Sequence, residues 1–434
     1  MLALHGTILT CGQPILATYD GPMRTSDWIG ALKERNFRYF FIGQTTSQIG
    51  SGMAPVAVAF AVLEHHGSAT DVGLVAAAGL TPVVLLLLAG GVIADRFSRR
   101  IVMLSSDVLR TLAELGLGAW ILVERPPIWG FMALAAVVGA GSAFFNPAMT
   151  GLVPQVVSEG NLLQANALNS LSGSTAQVIG PAIAGVIVGI WNPGWAVIVD
   201  GLTFAVSVVT LYLITIDWVA VPTAETYLYQ LKVGWTEFWA RTWLWVIVVE
   251  FSVINVLIFA TTFVLGPVIA LQSLGGAPAW GLVLAVEGAG AVLGGVVMLR
   301  WNPRRPLFVA TISPIVWIWP MLALAFRAPL ALIASGAFLA GFGLAVFGTL
   351  WTTTMQREIP SHLLSRLSAY DWFGSLVFLP IGMAVVGPVA RLCGITTTIV
   401  GAAILLVVFI VATLFVPSVS QMRAPELAAT SPVP

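Results

Sequence analysis

Charge is what this sequence has least of. Only 9% of its 434 residues are Asp, Glu, Lys or Arg, while 58% are hydrophobic and the mean hydropathy is +0.95. Soluble domains carry roughly 25% charge, so this composition excludes them and puts the chain in a bilayer. Nineteen basic residues are matched by nineteen acidic ones, and no surplus of either sign points to nucleic acid or to an acidic partner. Cysteine is almost missing. Cys11 and Cys393, one in a tail and one in or near a membrane helix, provide neither a disulfide framework nor a thiolate metal site. Catalytic signatures are missing too. No Gly-x-x-x-x-Gly-Lys-Ser/Thr phosphate loop occurs, so ATP is not the direct energy source. No His-Glu-x-x-His or Gly-x-Ser-x-Gly run suggests a hydrolase. His65 and His66 are adjacent, so their rings leave a helix in different directions and do not make a metal site. Neither an enzyme nor a cofactor or metal is expected.

What is present is a succession of long apolar runs. A span needs roughly 20 apolar residues in helical form, because unpaired backbone amides are not tolerated in hydrocarbon. Twelve runs qualify: 38-63, 71-94, 101-123, 129-153, 164-190, 195-216, 243-271, 278-299, 306-326, 329-356, 364-391 and 395-416. The loops give the orientation, since Arg and Lys favour the cytoplasm. With both ends inside, the outer loops hold Arg125, Arg327 and Arg391. The inner segments hold Arg24, Lys33, Arg35, Arg38, Arg96, Arg99, Arg100, Lys232, Arg241, Arg300, Arg304, Arg305, Arg357, Arg366 and Arg423. This gives a cytoplasmic segment 1-37, a six-helix bundle 38-216, a cytoplasmic linker 217-242, a second bundle 243-416 and a cytoplasmic tail 417-434. Tyr227, Tyr229, Trp235 and Trp239 in the linker suit a helix lying at the membrane surface. Met1 to Thr18 has no basic leader and is broken by Gly12 and Pro14, unlike a signal peptide. Met23 is a candidate start, which N-terminal sequencing that recovers Leu2 or Ala3 would exclude.

One half repeats the other. Gly90-Gly91-Val92-Ile93-Ala94-Asp95-Arg96-Phe97-Ser98-Arg99-Arg100 is echoed by Gly294-Gly295-Val296-Val297-Met298-Leu299-Arg300-Trp301-Asn302-Pro303-Arg304-Arg305. Pro154 with Gly180-Pro181 is echoed by Pro360 with Gly387-Pro388. An internal repeat in a membrane chain points to a transporter.

Twelve spans in two sixfold halves, with Gly-x-x-x-Asp-Arg-x-x-Arg-Arg between the second and third, resemble the major facilitator superfamily over nearly the whole chain. Three runs resemble its branch of enterobactin exporters and macrolide efflux proteins: Ser106-Asp107-Val108-Leu109-Arg110, Asn166-Ala167-Leu168-Asn169-Ser170, and Leu350-Trp351-Thr352-Thr353-Thr354-Met355-Gln356 before Pro360. Ser98 stands where the family's basic loop usually has glycine, and the fourth span lacks an arginine that many members place there. The resemblance implies an all-α membrane protein in which two pseudo-symmetric six-helix bundles alternate access to a central pocket. It also implies a monomer in the cell membrane whose partners are a small molecule, protons and lipid.

The basic loop brings Gly91, Asp95, Arg96, Arg99 and Arg100 together. Lipid phosphates would account for its arginines but not for Asp95. By resemblance, Asp95 meets the start of the eleventh span near Ser365 and Arg366, where a positive helix end favours an anion, and so latches the outward-facing state. The second copy has Leu299 there, so the latch is one-sided. Asp107, Arg110 and Glu114 fall at i, i+3 and i+7, one stripe of the third span. Intramembrane charges are expected to pair, and both a structural and a proton-linked role stay open for them. Glu250, Glu287 and Asp371 are acids with no arginine within one helical turn. Such stranded carboxyls suit proton exchange. Glu250 ranks first because the resemblance puts the first, fourth, seventh and tenth spans around the cavity, and direct binding of a cationic substrate is equally open for it. Asp200 reads as a helix or loop contact near the outer surface.

Gly180 with Pro181, and Gly387 with Pro388, are candidate helix bends, either for close packing of small faces or for rocking between states. The fifth-span stretch also resembles the motif of superfamily antiporters, which favours export over a proton-coupled import alternative. A non-transporting scaffold or lipid-handling protein is a further alternative. Candidate cavity residues are Gln44 and Gln48, Phe145 and Asn146, Asn255 and Phe259, and Trp351 and Gln356. Aromatics with scattered amides suit an amphipathic organic molecule such as a drug, siderophore or natural product. A sugar or a phosphate would call for hydroxyl partners or clustered arginines.

Overall fold

The protein is seen in a computed structural model that describes residues 30–65, 67–216 and 234–423, without the side chains of residues 87–96, 159, 361, 362 and 365. The described residues form helices joined by short turns and contain no strand. After a one-turn helix at Gly30–Lys33, the first half comprises α1 (Arg35–Glu64), α2 (Ala69–Arg96), α3 (Arg99–Val123), α4 (Ile128–Val156), α5 (Leu162–Ile190) and α6 (Pro193–Leu213). The second comprises α7 (Thr242–Leu274), α8 (Ala277–Met298), α9 (Pro306–Ala325), α10 (Leu330–Glu358), α11 (Ser361–Leu376, resuming as Leu379–Cys393) and α12 (Ile395–Leu414). Among the described residues, eleven helices are long and apolar enough to cross a membrane. The remaining one is α3, whose 25 residues also suffice in length but which carries Asp107, Arg110 and Glu114 along its middle. Part of the expected linker, 217–233, lies outside the described residues.

Local chemistry sets several boundaries. Asn192 caps α6 by accepting a hydrogen bond from the Gly194 amide at 2.7 Å, with Pro193 in the first turn, where a missing amide proton costs nothing. The α7–α8 turn uses Gly275 and Gly276, at φ 96° and 83°, a region open to glycine but strained for other residues. Within α7 the backbone widens to π-helix over Val256–Leu265 and Ala270–Leu274. Thr261 there donates its hydroxyl to the Leu257 carbonyl at 2.6 Å and Ser273 donates to Ile269 at 2.9 Å, competing with the regular ladder. Pro267 removes a further amide donor between the two widened stretches.

The interruption of α11 falls at Val377 and Phe378, where Pro380 cannot donate to Leu376 four residues back. Gly387 and Pro388, expected as a bend, lie inside the second part of α11. A methyl group at Gly387 would come within 2.5 Å of the Thr70 Cα on α2. Gly180 and Pro181 likewise lie inside an unbroken α5, against Gly52 of α1.

Packing is asymmetric along the bundle axis. At one end a single hydrophobic core joins both halves: Phe60, Val72, Phe131 and Val188 share it with Ile258, Trp280, Met321 and Val386. There α5 and α8 approach so closely that a methyl at Gly185 would come within 2.9 Å of the Ala277 carbonyl oxygen. At the opposite end each half keeps its own core, one around Phe37, Met103, Phe145 and Leu152, the other around Leu244, Leu307, Trp351 and Met355. The two halves are thus closed on each other at the end bearing Thr70, Gly185 and Gly387.

Candidate transport site

Two cavities lie within the bundle, the first bordered by Ala59, Val62, Val72 and Val75 of the shared core. One, of about 450 Å³, is walled by α1 to α4 and capped by Phe259 and Phe263 of α7 and by Leu379 and Met383 of α11. Its lining is aliphatic except for Ser51, Ser142, Glu114 and the two phenylalanines, and Glu114 is the one charged residue among the described wall. The other, of about 370 Å³, lies within the second half between α7, α10 and the first part of α11. Phe259 belongs to both, so the cavities adjoin.

The smaller cavity is an aromatic box with one acid. Phe251 and Phe347 stack face to face at 4.0 Å between centroids, Trp351 continues the stack at 6.3 Å, and Trp243 meets Trp351 edge-on. Asp371 accepts a hydrogen bond from the Trp351 indole nitrogen at 3.0 Å and from the Ser375 hydroxyl at 3.5 Å. Asn255 donates to the Ser375 carbonyl at 2.9 Å, tying α7 to α11. An aromatic wall with one oriented carboxyl provides stacking surface for a bulky organic molecule and a fixed partner for a polar or cationic group on it.

Of the residues singled out in the sequence, Asn255, Phe259, Trp351 and Asp371 are brought together in this box. Glu250 is on α7 but lines neither cavity. It is 3% exposed, and both its carboxyl oxygens lack a hydrogen-bond partner among the described residues. Glu287 on α8 also lines neither cavity. Gln44 is buried in α1, whereas Gln48 accepts from Ser172 of α5 at 2.9 Å, a contact between helices. Asn146 and Gln356 are exposed, and Phe145 faces Arg110.

The i, i+3, i+7 stripe of α3 is buried, with Asp107 at 0%, Arg110 at 6% and Glu114 at 4% exposure. Asp107 and Arg110 form a direct ion pair. The guanidinium also lies between two rings, 4.2 Å from the centroid of Phe145 and 4.3 Å from that of Phe204. Asp200 joins this group from α6 and is 2% exposed. It is a helix contact, as expected from the sequence, but it is buried against α1 and α3. Asp200, Thr203 and Ser207 form on α6 the same stripe that Asp107, Arg110 and Glu114 form on α3, a matching pair of periodicities visible in the sequence.

Arg99 donates to the Gly151 carbonyl at 2.6 Å, and Arg100 donates to the Leu211 and Tyr212 carbonyls at 2.9 and 2.7 Å. These three bonds join the start of α3 to α4 and to the end of α6 in its own half. Gly91, Asp95 and Arg96 have helical backbone, and their side chains, with that of Ser365, lie outside the described ones.

The sequence profile of the Major Facilitator Superfamily matches residues 40–377. The chain is 25% identical over 398 residues to the multidrug efflux pump Tap of Mycolicibacterium fortuitum, covering 87% of this chain and 94% of the relative. It is 25% identical to the enterobactin exporter EntS of Salmonella typhi over 86% of this chain and 92% of that one. Macrolide efflux protein A of Streptococcus pyogenes is 25% identical over 42% of this chain and 44% of its own length. Among solved structures, a bacterial homologue of the human lysosomal transporter Spinster, inward-facing and unoccupied, superposes with a TM-score of 0.70 at 15% identity, covering 92% of this chain and 98% of that one. The nucleoside transporter NupG superposes at 0.72 with 11% identity over 88% and 98% of the two chains. With a profile spanning most of its length and two like halves of six helices closed on each other at one end, this chain belongs to the major facilitator superfamily, a family of membrane transporters.

Proposed function

We propose that this transporter is a proton-driven exporter of an amphipathic organic molecule, acting as a monomer in the cell membrane with both termini cytoplasmic. The observation that carries the reading is the aromatic box around Asp371. It offers stacking surface and one oriented carboxyl, and no cluster of arginines or hydroxyls suited to a phosphate or a sugar. The relatives covering most of the chain are named for a multidrug pump and a siderophore exporter, which supports outward movement of such compounds. Under the arginine and lysine rule the joined end of the halves is external. The structure then represents the inward-facing state, in which a cytoplasmic molecule reaches the box.

In this reading the halves are the bundles 38-216 and 243-416, and substrate binds along the inner faces of α7, α10 and α11. A proton taken from outside on the return stroke drives the next export step. Asp95 against the start of α11 at Ser365 and Arg366 would hold the outward-facing state, where the inner ends of α2 and α11 meet.

Everted membrane vesicles test this with erythromycin as probe. Acidifying the vesicle interior should drive erythromycin uptake, and adding erythromycin should dissipate a preset gradient. A proton-coupled importer would leave the gradient unchanged on that addition. A scaffold or lipid-handling protein would keep its function in D95N and E250Q, whereas an exporter of this design loses transport in at least one of them.

A further inference from the structure

The buried group at the α3–α6 contact contains one cation and three carboxyls. We propose that Asp107, Arg110, Glu114 and Asp200 form the proton-carrying site of this transporter, with Glu114 and Asp200 as the groups that gain and lose the proton. This rests on the proton-driven reading above and gives the proton a location apart from the aromatic box.

Charge balance is the first argument. With all four ionised the group would hold a net charge of minus two in low dielectric, an arrangement that membrane interiors do not sustain. Among the described residues no further cation joins the group: Arg99 and Arg100, at the start of α3 itself, donate to the Gly151, Leu211 and Tyr212 carbonyls. The neighbouring α4 and α5 have no charged residue, α1 has Arg35, Arg38 and Glu64 as its charged residues, at its two ends, and α2 has Asp71 at its start and Asp95 and Arg96 at its finish. Neutrality therefore requires protons shared among the three carboxyls.

Geometry separates their roles. Arg110 is committed, paired to Asp107 and clamped between Phe145 and Phe204. Its stem lies against bare backbone on α4, where a Cβ at Gly141 would come within 2.8 Å of Arg110 Cγ. Asp200 is seated likewise, with a Cβ at Gly50 of α1 falling within 2.5 Å of Asp200 Oδ1. Its described hydrogen-bond partner is the Thr203 hydroxyl at 3.4 Å. Glu114 has no such commitment. One of its buried carboxyl oxygens lacks a hydrogen-bond partner among the described residues, and its side chain lines the 450 Å³ cavity. A proton arriving from that cavity forms an O–H bond on a Glu114 oxygen. It passes to Asp200 or returns to the cavity as that bond breaks, while Asp107 stays paired to Arg110.

Infrared difference spectroscopy on the full-length protein in liposomes tests this without a known substrate. Acidification of the wild type should raise carboxylic acid stretching bands. E114Q and D200N should each lose a band while keeping the wild-type melting temperature, and E114D should retain one. Erythromycin transport then separates this site from the parent reading. Both amide variants should lose proton-driven uptake into everted vesicles but keep counterflow exchange, which a purely structural role would not spare. Folded E114Q and D200N with unchanged bands would overturn the assignment, as would retained proton-driven uptake. A wild type that shows the bands but no proton-driven uptake would instead sink the exporter reading alone.

Discussion

Two side chains with nitrogen donors illustrate how a few residues govern this membrane interior. Arg110 neutralises Asp107 and is held by two rings. Replacing it with Met leaves Asp107 buried and unpaired, and breaking such a pair costs about 3–5 kcal/mol. Thermal unfolding in detergent should show R110M as strongly destabilised. R110K should fall between it and the wild type, because an ammonium keeps the charge but lacks the planar face that fits between Phe145 and Phe204. Trp351 acts on affinity instead. Its indole orients Asp371, and a hydrogen bond to a charged group contributes about 1.5–3 kcal/mol, so W351F should weaken erythromycin binding by about tenfold or more. A binding isotherm on purified protein checks this, and unchanged affinity would remove Trp351 from the site. At this scale the sequence was only partly legible. The α3 stripe could be read from helical spacing because its members lie on one helix. Asp200 repeats that spacing on α6 with Thr203 and Ser207, but only the crossing of α6 on α3, a tertiary fact, joins the two stripes. For the same reason Glu250 could be ranked above Asp371 by helix number, although Asp371 is the one on a cavity wall.

Among helices, the junction of α1 with the α4–α5 turn is held by Glu34. Its carboxylate accepts from the Ser158 amide at 2.9 Å, the Ser158 hydroxyl at 2.7 Å and the Asn161 amide at 2.8 Å. Partial burial works against its ionised form. The bonds from Asn161 and Ser158 together outweigh that and hold its pKa below the ordinary 4.5. A lowered folded pKa gives stability that is complete above the unfolded value and is lost as pH falls through the folded one. E34Q should therefore melt below the wild type at neutral pH, and the gap should close on acidification past 4.5. A gap that persists in acid would show that charge on Glu34 is not the cause. The α5–α8 contact gives a steric counterpart. G185V places carbon where the Ala277 carbonyl already lies, so it should favour the state in which this end is open. Labelling of a cysteine introduced at Ser51 should then become faster, and an unchanged rate would contradict the role of that contact. Helix positions were largely legible because hydrocarbon leaves the backbone little choice but helix. The α11 break was less so. Gly387 with Pro388 and Pro380 are both plausible breakers, and packing of Gly387 on Thr70 keeps the helix regular at the former site.

For the whole molecule, one shared core at one end and two separate cores at the other describe two bodies joined at one end, the arrangement that a pivot between them requires. The repeated loop sequence and the even count of spans made the two halves legible. The state in which they rest was not, because both states use the same helices and differ only in which ends meet. Spin labels on α5 and α8 test the pivot directly, since these helices belong to different halves. One pair, Ile190 and Leu282, lies near the joined end, and the other, Leu163 and Leu299, lies at the opposite end, all four on exposed positions. Distances measured in lipid should change in opposite directions between acidic and alkaline conditions, with Ile190–Leu282 lengthening as Leu163–Leu299 shortens. Two pairs that lengthen together, or that stay fixed while erythromycin is transported, would contradict alternating access by rocking of the halves.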